Sequence, residues 1–163
     1  MRSFERRRPL LRFGRSQWSD LIRELERRGA GRRESGAFLL ATRGETARVA
    51  RVAYYDDLDP TSLTGGVDFH AEGYQRLSEM CRQEGLQVIG DVHTHPSNWV
   101  SQSDTDSANP MVALKGHVAL IVPHFSRGRV RTAEVGVARY GAPGWECWQG
   151  REAARRLRVG WLS

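Results

Sequence analysis

The sequence has one lysine, Lys115, among 25 basic side chains, two cysteines, and no apolar run longer than five residues. A membrane-crossing helix needs roughly 20 apolar residues in succession. Val118–Val122, at five, falls far short, so no span is expected. The basic start MRSFERRRPLLRF is followed by no apolar stretch of secretory type and reads as part of the mature chain, which makes the cytoplasm the expected location. Cys81 and Cys147 lie far apart and match no zinc-finger spacing, which argues against a disulfide scaffold, and both are expected to be reduced core thiols. G-x-G-x-x-G, a Walker loop and G-x-S-x-G are all missing, which removes the usual motif signals for nucleotide binding and serine hydrolysis. No repeat or low-complexity tract is present.

What is present fits one domain of 163 residues with room for a sizeable core. Its net charge is +6, and the charge is unevenly placed. Residues 1–33 hold 11 Arg and 4 acids, residues 151–163 hold 4 Arg and 1 acid, and the span between them is left at −4. Such a balance first suggests nucleic acid, but no recognition module interleaves basic and aromatic residues, so nucleic acid is not the expected partner. The expected organisation is a basic N-terminal segment 1–13, a domain 14–150 and a basic C-terminal tail 151–163.

Apolar residues at Trp18, Leu21, Ile22 and Leu25 predict a helix from about Ser16, as cap, to Arg28. GAFLLAT and TARVARVAYY predict a hairpin about the turn Arg43-Gly44-Glu45. DDLDPTSLTGG reads as loop, and a second helix follows with Tyr74, Leu77, Met80 and Cys81 on one side, ended by Gly85. LQVIGDVHTH predicts a strand, a short helix is expected near Ser103 with Pro110 as its limit, and HVALIVP and AEVGVARY predict two further strands. Arg151–Arg158 is a basic helix candidate. The fold class is therefore α/β (α+β), with a mixed central sheet flanked by helices.

Chemistry concentrates in His93-Thr94-His95-Pro96, followed by Ser103 and Asp106. Two residues apart on a strand, both imidazoles project to one side, within reach of a single ion. Asp106, in the first turn of the next helix, can supply a third ligand. Two His and one carboxylate suit Zn²⁺ and leave a fourth position open, as at catalytic sites. For this composition an H-x-H pair arises by chance in about 0.15 such chains, and adding Pro, Ser and Asp at fixed offsets lowers this to about 2 in 10⁵. Chance does not explain the set.

HTHPSNWVSQSDTD fits H-x-H-P-x(6)-S-x-x-D and so resembles the metal signature of the JAMM (JAB, MPN-plus) metallopeptidases, whose eukaryotic members remove ubiquitin. Glu34-Ser35-Gly36-Ala37-Phe38 resembles that family's glutamate ahead of a strand, and a looser likeness, including Gly141 to Trp145, runs over residues 14–148. GDVHTHP and GHVALIVPHF are most similar to the compact prokaryotic branch, which often accompanies bacterial ubiquitin-like conjugation and anti-phage systems. The resemblance implies one zinc ion held by His93, His95 and Asp106, Glu34 as general base and later proton donor to the leaving amine, and Ser103 as oxyanion stabiliser. Glu45, the competing acid, sits in a turn. Ser97, Asn98, Trp99 and Val100 depart from the glycines and cysteine of the best-known eukaryotic members.

Other positions stay open at this level. Asp91 shares a strand face with His93 and either orients it from behind or is a solvated or capping acid. Asn98 and Trp99 either contact substrate or pack the loop, and Ser103 is cap, oxyanion donor or both. His117 and His124 read as non-catalytic residues flanking a buried strand, and Cys147 has no base placed for a nucleophilic role. The expected activity is cleavage after the C-terminal tail of a ubiquitin-like modifier, with its conjugates and E1-like or E2-like proteins as partners. Alternatives are a peptidase acting on a sulfur-carrier tail, a DNA-associated protein of the same fold, and an adaptor without catalysis, against which the full ligand set argues.

Overall fold

The computed structural model describes residues 8–64 and 66–161. Part of the predicted basic segment, residues 1–7, lies outside them, as does Gly65 of the predicted loop.

A six-stranded mixed sheet organises the chain, in the order β3-β2-β4-β5-β6-β7. Its members are β2 (Gly36–Thr42), β3 (Arg51–Tyr54), β4 (Leu86–Thr94), β5 (Val118–Val122), β6 (Gly136–Tyr140) and β7 (Trp145–Trp148). Only β4 and β5 run parallel; the other neighbours are antiparallel. Parallel neighbours require a crossover, and here it carries residues 95–117 from the end of β4 to the start of β5. β2 and β5 sit inside the sheet with both faces covered, and accordingly read as continuous apolar runs rather than alternating ones.

One face packs against α1 (Arg15–Gly29), where Trp18, Leu21, Ile22 and Leu25 form the predicted stripe. The helix starts one residue earlier than expected and its cap is Gly14, whose N–H donates to Gln17 Oε1 at 3.3 Å. Ser16 lies inside the first turn and does not cap. The other face packs against α3 (Ala71–Glu84) and the single-turn α2 (Tyr55–Leu58), through Phe38, Tyr55, Leu58 and Leu77. That turn of helix replaces the start of the predicted loop. Gly85 closes α3 in the left-handed conformation (φ +66°), as expected.

The hairpin pairs β2 with β3, but β3 resumes only at Arg51. Thr42–Glu45 makes the tight turn, with Glu45 N–H donating to the Thr42 carbonyl at 2.9 Å; residues 47–49 then run alongside β1 (Leu11–Gly14) instead, and Ala50 returns to β2. β1 pairs in parallel with β8 (Leu157–Gly160), which follows α5 (Gly150–Arg156). The basic ends are therefore built into the fold: Leu11, Phe13, Ala153 and Leu157 lie within the α1-side core, all at 0–1% exposure. Their arginines alternate outward with these inward apolar residues, and charge counts by segment conceal that alternation. Cys81 is only partly buried and Cys147 is exposed on the edge strand β7, so neither is the core thiol expected, though both are free. No described helix is long and apolar enough to cross a membrane.

Candidate metal centre

The site forms where β4 ends. His93 is buried on β4, and His95, just beyond it, keeps the strand's course because its N–H donates to the Val122 carbonyl at 2.9 Å. Gly36 lies directly opposite His93 in the β2–β4 register. A Cβ on Gly36 would stand 2.3 Å from the Tyr55 ring and 2.6 Å from the Val92 carbonyl oxygen, so only glycine permits this approach. Ser35 is fully buried: its Oγ–H donates to the Leu25 carbonyl at 2.7 Å, and its N–H donates to Thr94 Oγ1 at 3.0 Å. Those bonds place Glu34 at the mouth of the sheet, beside the histidines.

The third member arrives on the crossover. Ser103 caps α4 (Asp104–Ala108), its Oγ accepting from Asp106 N–H at 3.0 Å while Asp106 Oδ2 accepts from Ser103 N–H at 3.0 Å. The cap uses a lone pair of Ser103 Oγ and not its proton, which lies beside the Asp106 carboxylate. Trp145 holds α4 from outside, its indole N–H donating to the Ser107 carbonyl at 3.2 Å. Gly136 admits the incoming loop: a Cβ there would lie 1.9 Å from the Val100 carbonyl oxygen.

His93 Nε2 and His95 Nε2 are 3.1 Å apart, and Asp106 Oδ2 lies 3.6 and 3.5 Å from them. Tetrahedral ligands at Zn–N and Zn–O distances near 2.0–2.1 Å stand about 3.3 Å from one another. The three atoms therefore already approximate one face of such a tetrahedron. His95 is prepared for ligation, because its Nδ1–H donates to the Trp99 carbonyl at 2.9 Å and leaves Nε2 with its lone pair toward the other two. Among the described residues these three form the one group of His, Cys and acidic side chains with metal-ligand spacing. They fit a zinc ion.

Behind His93 lies a polar cluster that the sequence does not reveal. Asp91, 3% exposed, accepts from His117 Nε2–H at 2.6 Å and from the Tyr55 hydroxyl at 3.3 Å, and its Oδ2 stands 4.0 Å from His93 Nδ1. Asp91 is thus neither solvated nor a cap, and His117 does more than flank a strand. The signal for His117 is its place just ahead of β5, diagonal to Asp91, which pairs with Ala119 across the parallel β4–β5 pair; it is visible only once that pairing is known. Trp99 stacks on His95 with ring centroids 5.4 Å apart and a 16° interplanar angle, while staying half exposed. Asn98 is exposed and lies outside the lining of the cleft.

Charge in the site follows from this packing. Burial pushes the Glu34 carboxyl above its ordinary range, partly offset by His93 and His95. Burial disfavours the charged form of His93, but hydrogen bonding to Asp106 and the field of Asp91 outweigh it and raise the imidazole to about 9. Asp106 is held far below the usual carboxylate range, since the two histidines overcome its burial. Asp91 is likewise lowered, by His117 and His93 against burial. The adjoining cleft, about 400 Å³, is lined by Glu34, His93, Ser103 and Asp106 on one side and by Val67, Phe69 and Met111 among others.

Residues 15–135 match the family described as prokaryotic homologs of the JAB domain. The chain belongs to this family. The match takes in β2, β4, the crossover with α4, and β5, so every residue of the triad lies inside the JAB domain. A protein from Desulfitobacterium hafniense known from its solution structure is similar in fold, with a TM-score of 0.64, 16% identity, and coverage of 94% of this chain and 95% of that one. A JAB1/MPN domain protein from Archaeoglobus fulgidus is similar at a TM-score of 0.48 and 16% identity, over 93% and 97% of the two chains.

Proposed function

We propose that this JAB domain is a zinc-dependent isopeptidase or peptidase acting after the C-terminal tail of a ubiquitin-like modifier, by deconjugation or precursor maturation. The observation that carries the reading is the convergence of Glu34, His93, Ser103 and Asp106, drawn from three separate elements, on the rim of one cleft, with His95 completing the triad beside them. His93, His95 and Asp106 would hold the metal. When bound, zinc supplies a Lewis acid for the scissile carbonyl and makes water nucleophilic near neutral pH.

The protein's own groups do the rest. Glu34, with a carboxyl raised by burial, takes the proton of the attacking water and returns it to the leaving amine. The O–H of Ser103, turned from Asp106, donates to the oxygen on which charge develops, an interaction worth about 3 kcal/mol at comparable sites. The cleft admits a few residues of extended chain, which suits a modifier's tail. The partners that follow are a ubiquitin-like protein, its conjugates, and E1-like or E2-like proteins of the same system.

The test is incubation of the zinc-loaded protein with ubiquitin-fold proteins carrying C-terminal extensions, read by intact mass. Cleavage after the tail, lost in Glu34→Ala while zinc content stays at one per chain, supports the reading. Cleavage retained by Glu34→Ala overturns the mechanism. A product corresponding to release of a small amine from a sulfur-carrier tail would redirect the substrate.

A further inference from the structure

The two basic ends meet. In the parallel β1–β8 pair Arg12 stands directly beside Arg158, and on the other side of β1 an isolated parallel bridge sets Arg12 beside Arg48. Leu11, Phe13, Val49 and Leu157 turn inward to the core, so the three arginines between them turn outward on one face. At strand spacing the row Arg48, Arg12, Arg158 covers about 10 Å. Like charges in register on adjacent strands oppose folding. One acid faces the row: Glu45, 3.5 Å from Arg12, whose other oxygen accepts the Thr46 and Ala47 N–H groups at 2.8 Å. Among the described residues neither Arg48 nor Arg158 has an ion-pair partner, and neither does Arg8.

Cavities lie at both sides of the row. One, about 150 Å³, is bounded by Arg12, Arg48, Arg158 and Trp161. The other, about 550 Å³, is bounded by Arg8, Arg12, Arg139 and Arg158. Trp161 is 86% exposed, with the Arg15 guanidinium 5.5 Å from its ring centroid. A row of guanidinium forks beside an open indole is the chemistry of a phosphate track with a stacking platform.

We propose that the face formed by Arg48, Arg12 and Arg158 binds single-stranded nucleic acid, its phosphates on the arginine row and a base on Trp161. Carboxylates of an acidic peptide would satisfy the arginines but leave the indole unused, and a duplex keeps its bases from stacking on it. Ten ångströms accommodates roughly two or three nucleotide steps at 3.4 Å or more each. The site uses none of the residues of the metal centre, so it stands or falls separately from the proposed peptidase activity.

The experiment is fluorescence polarisation of a labelled twelve-residue oligothymidylate with the full chain, from 50 to 200 mM salt. Binding that weakens with salt is expected. The double variant Arg48→Gln/Arg158→Gln should weaken it about tenfold or more at 50 mM and flatten the log–log salt slope by roughly 1.4, two phosphates' worth. Trp161→Ala should weaken it about fivefold or more and leave the slope unchanged. Arg23→Gln/Arg82→Gln, an equal charge change on exposed helix positions, should have no effect. If the row double variant melts at a lower temperature, Arg48→Gln alone serves as the test, with half the change in slope. No binding at 50 mM salt overturns the proposal, as does wild-type binding by the row variants. Equal binding of hexaglutamate or duplex, or a silent Trp161→Ala with full displacement by tripolyphosphate, also overturns it by reducing the face to a general anion surface.

Discussion

His93 is gripped from two sides that differ in how they are encoded. In front, His95 and Asp106 lie within 13 residues of it, on the strand end and the capped helix that follow. Behind, Asp91, His117 and Tyr55 come from three elements, and Asp91 meets the other two only through sheet pairing and packing. In the front set Asp106 is partly exposed on the cleft, whereas all three members of the back set are buried, Asp91 and Tyr55 in the cleft's wall and His117 away from it. The front therefore has room for an exchangeable ion and substrate, while the back fixes one imidazole against them. Substitutions should separate the two: the front sets whether zinc binds, the back how well.

The largest effect is expected from the front. Asp106→Asn removes the one anion of the triad and also disturbs the cap, since Asp106 Oδ2 accepts from Ser103 N–H. Zinc affinity, measured by competition with a chelating dye, should fall by more than the roughly 100-fold ceiling for outer partners. Full zinc binding by Asp106→Asn would remove the distinction between front and back altogether.

Next comes the back. Asp91→Asn keeps the size of the side chain but ends the charge-assisted bond from His117 and the field on His93. Zinc affinity should fall about 10–100-fold. The metal-free protein should also lose about 1–3 kcal/mol of stability, read by denaturant midpoint, because a buried donor is left with a poorer partner. If Asp91→Asn lowers stability alone, the buried cluster is a packing feature with no part in ligation.

Much of this was legible before any coordinates. The triad and Ser103 lie in one short motif and Glu34 just ahead of an earlier strand, and the strand that carries His93 and leads into His95 reads directly from its β-branched residues. Local patterns of this kind survive folding unchanged. What was not legible depends on pairing between distant segments. Charge counting set the termini apart from the domain, whereas alternation along β1 and β8 sends Leu11, Phe13 and Leu157 into the core and the arginines outward. His117 read as a neutral flank because nothing in the sequence says that β4 and β5 run parallel in a register that brings it to Asp91. Trp145, expected only as part of a late G-x-x-x-W, holds the helix that carries Asp106.

A third effect tests the charge state on which both sides act. With its pKa raised to about 9, His93 carries a proton at pH 7 in the absence of metal. Ligation requires the neutral ring, so zinc binding must expel that proton. Titration calorimetry in buffers of different ionisation enthalpy should count about one proton released at pH 7, and zinc affinity should rise about tenfold per pH unit between 7 and 9. In Asp91→Asn the released fraction at pH 7 should shrink, because the carboxylate that favours the charged ring is gone. No release at pH 7 from the wild-type protein would place the proton elsewhere.

The smallest effect is expected at Trp99, where front and surface meet. Its two contributions to His95 separate by substitution: the carbonyl that accepts the Nδ1–H belongs to the backbone and survives Trp99→Ala, whereas the stacked ring does not. A ring pair of this kind contributes about 0.5–1.5 kcal/mol beyond burial. Because Trp99 is half exposed, the lower part of that range applies, and zinc affinity should fall no more than severalfold. Trp99→Phe should restore most of it, since stacking needs the ring and not the indole N–H. A loss as large as that of Asp91→Asn would show that the ring holds the whole loop against His95, and that the carbonyl is in place only because the ring keeps it there.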